Sequence, residues 1–336
     1  MELTSVGRGG DAPAPRSVVR DTNHTRAAPA LACALPSRLL PALSTVSTLS
    51  FSRHAAIGIL ALAGLLASGC ASLHDKQGEW IFQPSERTWG GRTADDMQDR
   101  WIEFDSQLSG KRVRLHALWQ DAPARLRPAR AAGEDAAPVL LYLHGSRWNV
   151  TSSAFRARRM QELGFAVLAL DYRGFGKSDP DRPSEALAYE DARAAWDWLA
   201  AQYPQRPRYI FGHSLGGAIA IELARQVDDE AGTMVEGTFT SIPDVVRSMR
   251  WGWLPVGPLI TQRFDARSKV AGIGSPLLVV HGTKDSLIKP ELGRALFEAA
   301  SGPKRFVLVD GGTHHNTNAI GQDLYRDAIG QLFGLR

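Results

Sequence analysis

From Val139 onward, short apolar runs alternate with helical patterns, and this alternation constrains the fold more than any other feature of the chain. Val139–Leu143, Phe165–Leu170, Tyr209–Phe211, Met234–Phe239, Leu277–Val280 and Phe306–Val309 read as buried strands. Tyr189–Ala201, Leu215–Ala224 and Glu291–Ala300 lie between them and read as helices. Strands apolar on both faces, joined by right-handed helical crossovers, make a mostly parallel twisted sheet with helices on both sides. The predicted class is therefore α/β. Upstream, Trp101–Phe104 and Val113–Trp119 alternate with period two and predict an antiparallel leading hairpin. Residues Asp121–Ala137 are rich in Ala, Pro and Arg and read as a long exposed loop. The 336 residues are 44% hydrophobic and 22% charged, a globular profile. No uncharged apolar run reaches the roughly 18 residues of a membrane span, which excludes a multi-span protein. A net charge of +4, dispersed along the chain, is too mild for a nucleic-acid partner.

One motif sits at a strand-to-helix junction. Gly212-His213-Ser214-Leu215-Gly216-Gly217 follows the Tyr209–Phe211 strand and opens the next helix. A serine flanked by glycines there fits a strained backbone position, where larger neighbours would collide with strand and helix. Ser214 then projects at the carboxyl edge of the sheet, beside free N–H groups of a helix start. A serine nucleophile needs a base, and the base an orienting acid. Asp285 ends the loop after the Leu277–Val280 strand, and His314 and His315 stand in the Gly-rich loop after Phe306–Val309. Adjacent loop residues point opposite ways, so only one of the two histidines can face Ser214. Asp310 is a second candidate acid. An oxyanion would be held by two backbone N–H groups, Leu215 directly after the nucleophile and Ser146 in the loop after Val139–Leu143. His144 and His213 read as structural, with His213 also a candidate pocket residue. No HExxH or Cys/His cluster suggests a metal, and no Rossmann or P-loop pattern suggests a cofactor.

The N-terminal region reads separately. Residues 1–52 show no sustained periodicity and are expected to be a disordered or misannotated extension. Arg53 and His54 precede an apolar stretch over 55–67, an export-type arrangement. Ala67-Ser68-Gly69-Cys70 resembles a bacterial lipoprotein lipobox, with Ala67 where leucine is most common. The resemblance implies a signal peptide over 53–69, cleavage before Cys70 and a lipid on its sulfur; the alternative is an uncleaved anchor. It also implies a cell-envelope location on the outer membrane or periplasmic face, since residues other than Asp, such as Ala71, go with outer-membrane sorting. Cys33 would be lost with the leader, and 70–336 would carry 33 basic and 32 acidic residues.

Taken together, the strand–Ser–helix junction, the Asp285 loop and the histidine loop resemble the α/β-hydrolase superfamily, for which the order Ser214, Asp285, His314 is the expected one. In that pattern the histidine directly follows a Gly-Gly-x triplet, which selects His314. Asp171-Tyr172-Arg173-Gly174-Phe175-Gly176-Lys177-Ser178 looks like the loop after the fourth strand of that superfamily. Trp80–Pro84, Trp253-Leu254-Pro255-Val256 and Arg263-Phe264-Asp265 resemble the ABHD13/BEM46-like serine hydrolases. The hydrolase domain would span 70–336. Residues Ile242–Ser268, which include Met249, Trp251, Trp253, Leu254, Val256 and Leu259, sit where a small lid would lie. They read either as an apolar wall for an acyl chain or as cover for the core edge. Phe155 and Phe175, taken as loop residues near the site, are further lining candidates.

The leading functional expectation is a serine hydrolase of carboxylic esters, acting on a small-molecule ester or acyl substrate without a cofactor and held at a membrane through Cys70. The alternatives are a peptidase or thioesterase with the same machinery, and a non-catalytic surface lipoprotein. Oligomeric state is not encoded in any feature of the sequence.

Overall fold

The computed structural model describes residues 73–88, 93–123, 137–147, 149–250 and 252–335. Cys70, Trp251, the signal-type segment and nearly all of the Ala/Pro/Arg-rich loop lie outside the described residues. Those that are described belong to one compact unit, Ala55–Arg336. Its strands are β1 (Gln98–Asp105), β2 (Arg112–Gln120), β3 (Val139–Leu143), β4 (Ala166–Leu170), β5 (Arg208–His213), β6 (Glu230–Glu236), β7 (Leu277–Gly282) and β8 (Lys304–Val309). They form one sheet in the order β1-β2-β4-β3-β5-β6-β7-β8. β1 and β2 pair antiparallel as the leading hairpin, and β2 meets β4 antiparallel with Ala117 opposite Leu170. Every pairing from β4 to β8 is parallel.

β3, β4, β5 and β7 are buried along their whole length, because helices cover both faces. The period of two divides each strand between two cores. On one face Val139, Leu141 and Leu143 pack with α2 (Glu185–Gln202), α3 (Leu215–Gln226) and α5 (Pro290–Ala299). On the other, Leu140 and Tyr142 pack with α1 (Val150–Glu162) and α7 (Gln322–Phe333). Between β6 and β7 runs α4 (Ile242–Ser248), followed by single 3-10 turns at Gly257–Leu259 and Val270–Gly272; α6 (Thr317–Ile320) follows β8. Among the described residues no helix is long and apolar enough to cross a membrane.

Helix starts follow their caps. Asn149 Oδ1 accepts the Ser152 N–H at 3.0 Å to open α1, and Ser184 Oγ accepts from Leu187 to open α2. The helices α1, α4, α6 and α7 and the helical stretch over 73–82 are additional to the sequence reading. The apolar positions of α1 (Val150, Ala154, Ala157, Met160) do have helical spacing, but Ser and Arg residues dilute the signal. Phe155 consequently lies on a helix, not a loop. β6 ends at Glu236, three residues before the expected Phe239, because Gly237 turns out of the sheet with φ +57°. A helical stretch over 73–82 carries Phe82 into the core, where it meets Phe264 and Phe175 edge-on. Gln77 fixes this stretch to the segment after α4, donating to the Leu259 carbonyl at 2.6 Å and accepting from the Thr261 N–H at 2.7 Å.

Candidate active site

The turn from β5 into α3 places Ser214 at φ +56°, a strained backbone for a residue with a side chain. Its N–H donates to the Glu236 carbonyl at 2.9 Å, and its own carbonyl accepts from Thr238 Oγ1 at 2.9 Å, so β6 grips the turn from both sides. Close approach explains the glycines. A Cβ on Gly216 would lie 2.1 Å from the Leu143 carbonyl oxygen, and one on Gly212 would lie 2.2 Å from the Gly216 oxygen. Both obstacles are backbone. Gly216→Ala is therefore expected to cost about 1–3 kcal/mol or more, read as a fall in thermal midpoint by circular dichroism.

His314 and Asp285 arrive on the loops that follow β8 and β7. His314 Nε2 lies 3.0 Å from Ser214 Oγ, and His314 Nδ1 lies 2.8 Å from Asp285 Oδ2. The three side chains form one hydrogen-bonded line, and all three are buried. Asp285 Oδ1 accepts the N–H groups of Leu287 and Ile288, which orients the carboxylate. Burial acts to raise the Asp285 pKa. Hydrogen bonds from His281 and His314, the field of His314 and the Ile288 N–H outweigh it, and the carboxyl is held well below its usual range. Asp285 is thus an anion on the outer nitrogen of a histidine whose inner nitrogen faces a serine hydroxyl. That arrangement can remove the serine proton as the oxygen attacks a carbonyl.

The neighbouring candidates are arranged differently. His315 is exposed, and Asp310 is exposed and accepts from Thr283 Oγ1. Gly145 lies directly against the nucleophile, since a Cβ there would be 3.0 Å from the Ser214 Cβ. This brings the turn containing Ser146 beside Ser214. The N–H of the next residue, Arg147, is taken by the Phe82 carbonyl at 2.7 Å. Leu215 opens α3, so its N–H has no intrahelical acceptor. His144 is buried, its Nδ1 2.7 Å from the Gly145 carbonyl and its ring packed against Tyr172 and Phe175. Among the described residues no group of three or more His, Cys, Asp or Glu side chains could hold a metal ion.

Two suggested pocket residues are placed elsewhere. Phe175 is 1% exposed and packs in an aromatic cluster with Phe82, His144 and Tyr172. The positive φ of Gly174 and Gly176 folds its loop inward. His213 turns away from solvent and reaches the His314 carbonyl at 3.0 Å. The apolar residues after β6 divide: Val245 and Phe264 are buried, whereas Met249, Leu254 and Leu259 are exposed. Trp253 is 73% exposed and, with Pro243, Val246, Leu254 and Pro258, lines a surface depression that includes none of Ser214, Asp285 and His314. These outward residues do not cover the core edge. Trp251 is outside the described residues. Arg156, Glu236 and Tyr325, buried beside the site, are additional to the sequence reading; the available signal is an arginine between the buried Ala154 and Ala157, two positions after one and directly before the other.

The model of the Hydrolase_4 family, described as serine aminopeptidase, S33, matches residues 134–264. An uncharacterized protein of Mycobacterium tuberculosis, MT2364, is 31% identical over 284 residues, 84% of this chain and 96% of that one. Lysophosphatidylserine lipase ABHD12 of Danio rerio is 28% identical over 56% of this chain, which spans about half (54%) of that longer relative. Among solved structures, the Pyrococcus furiosus esterase Pf2001 shares the fold at a TM-score of 0.57 and 18% identity, over 75% of this chain and 95% of that one. The chain belongs to the α/β-hydrolase superfamily, among its serine hydrolases.

Proposed function

We propose that the protein hydrolyses carboxylic esters through an acyl-enzyme, within the ABHD13/BEM46-like part of the superfamily. The observation that carries this reading is the line from Ser214 Oγ through His314 to Asp285, at 3.0 and 2.8 Å. Ser214 attacks the ester carbonyl while His314 Nε2 takes its proton. The Leu215 and Ser146 N–H groups hold the oxyanion. His314 returns the proton to the leaving alcohol as the C–O bond breaks. Water then repeats the sequence on the acyl-serine, releasing the acid. The exposed Trp253, Leu254 and Leu259 offer an apolar surface on the segment after α4 that suits an acyl group. Because one relative carries the name lysophosphatidylserine lipase, lysophospholipids belong in the substrate panel.

The test is fluorophosphonate labelling with mass mapping of the adduct, followed by esters of increasing acyl length. An adduct on Ser214 and faster turnover of esters than of aminoacyl amides support the reading; an unlabelled folded protein sinks it. The serine aminopeptidase description of the matching family favours one second reading, a peptidase with the same residues. Faster turnover of the aminoacyl amide would establish it instead. His315→Ala is expected to keep kcat within a few-fold of wild type, because that ring is exposed and off the line, whereas His314→Ala loses orders of magnitude.

We also propose that the chain is lipid-anchored through Cys70 in the cell envelope. The lipobox-like Ala67–Cys70 after an apolar stretch supports this. In a diderm host, Cys70→Ala should abolish incorporation of labelled palmitate. Unchanged palmitate labelling of that variant would refute the anchor.

A further inference from the structure

A buried ion pair sits immediately behind the catalytic line and is not used by the chemistry proposed above. Arg156 on α1 is 4% exposed, and Glu236 at the end of β6 is 1% exposed. Arg156 Nε donates to Glu236 Oε1 at 3.1 Å. Its Nη2 donates to the main-chain carbonyl of His314 at 2.9 Å and to that of His315 at 3.3 Å. The Tyr325 hydroxyl on α7 donates to Glu236 Oε2 at 2.5 Å. His213 Nε2 reaches the same His314 carbonyl at 3.0 Å. Glu236 also touches the nucleophile, since its own carbonyl accepts the Ser214 N–H at 2.9 Å. The two charges therefore tie the backbone of the serine turn to the backbone of the histidine loop.

Stability does not account for this pair. Desolvating two charges costs as much as their attraction returns, and a well-packed apolar pair would serve the core equally well. Position does account for it. His314 sits in a surface loop whose next two residues, His315 and Asn316, are exposed. Its ring is held by one hydrogen bond at each nitrogen. Its carbonyl is where the buried interior grips that loop, through two donors. Burial, then the Arg156 charge and the field of His314, push the His213 imidazole well below its ordinary range. His213 is thereby neutral, with its Nε2–H available to that carbonyl.

We infer, resting on the serine-hydrolase reading, that Arg156, held by Glu236 and Tyr325, is a positioning residue that sets the His314 imidazole between Ser214 and Asp285. It touches no substrate, and it acts through the His314 carbonyl. A misplacement of the base by about 1 Å costs on the order of 100-fold in rate. Arg156→Met should therefore lower kcat for p-nitrophenyl butyrate by about 100-fold, with little change in KM.

The experiment uses the full chain as wild type, Arg156→Met, Arg156→Lys and the double variant Arg156→Met/Glu236→Gln. Fluorophosphonate labelling rate, kcat, KM and thermal midpoint are read for each. Arg156→Met should label slowly, and Arg156→Lys, which keeps a cationic donor, should recover part of kcat. The double variant removes the stranded carboxylate, so its thermal midpoint should recover while kcat stays low. It also carries the test if Arg156→Met alone fails to fold. A wild-type labelling rate in Arg156→Met, or kcat returning together with the midpoint in the double variant, overturns the inference. A folded wild type that does not label overturns the serine-hydrolase reading itself, and this inference with it.

Discussion

Replacing Ser214 by Ala is expected to lower kcat for any hydrolysed ester by about 10⁴–10⁶-fold and to eliminate fluorophosphonate labelling. The hydroxyl is the only atom of the line that would bond to the acyl group, so no neighbour can take its place. Ser214 makes its structural hydrogen bonds through its main chain, to Glu236 and Thr238. Those bonds survive the substitution, and alanine tolerates the φ of +56° no worse than serine does. The thermal midpoint of Ser214→Ala should accordingly stay near that of wild type. What remains is the modest acceleration that the oxyanion donors alone can give. Hydrolysis by Ser214→Ala at the wild-type rate would remove the acyl-enzyme from consideration.

Asp285→Asn should be the second large effect, about 10⁴-fold in kcat. The shape is kept, but an amide cannot stabilise the imidazolium that forms when His314 takes the serine proton. Its NH₂ can also impose the wrong tautomer on the ring. The same residue predicts a pH dependence of stability. Its carboxyl is held below the ordinary value of 3.8, so the folded state favours the charged form. A depressed acid contributes stability that is complete above its unfolded pKa and is lost as pH falls through the folded one. The stability difference between wild type and Asp285→Asn should therefore be largest near neutral pH and shrink progressively below about pH 4. Chemical denaturation at several pH values checks this. A difference that grew on acidification would contradict the charge state assigned to Asp285.

Much of this protein was legible because its signals are local. Val139–Leu143 is apolar at every position, as a strand covered on both faces must be, and its bounds came directly from the sequence. Gly212 and Gly216 announced the serine turn, because only a residue without a side chain tolerates backbone at 2.1–2.2 Å from where a Cβ would stand. Asp285 and His314 followed from their places after strands. The choice of His314 over His315 came from resemblance, and the spacing alone left it open.

What the sequence could not supply depends on distant segments meeting. That β4 lies between β2 and β3, antiparallel to one and parallel to the other, is decided by crossovers packing on the sheet. Phe175 and Trp253 are both large and apolar, yet one is buried and the other faces outward. Their own sequences carry no mark of that difference, because burial depends on what the rest of the chain brings over them. Arg156 and His213 reach the His314 carbonyl from two different elements, while Glu236 and Tyr325, from two more, hold Arg156 in place. Sequence alone determined which chemistry the chain carries, since residue types and backbone tolerance are properties of short segments. Tertiary structure alone decided how that chemistry is held, since a hydrogen bond between residues 158 positions apart exists only after folding has closed the distance.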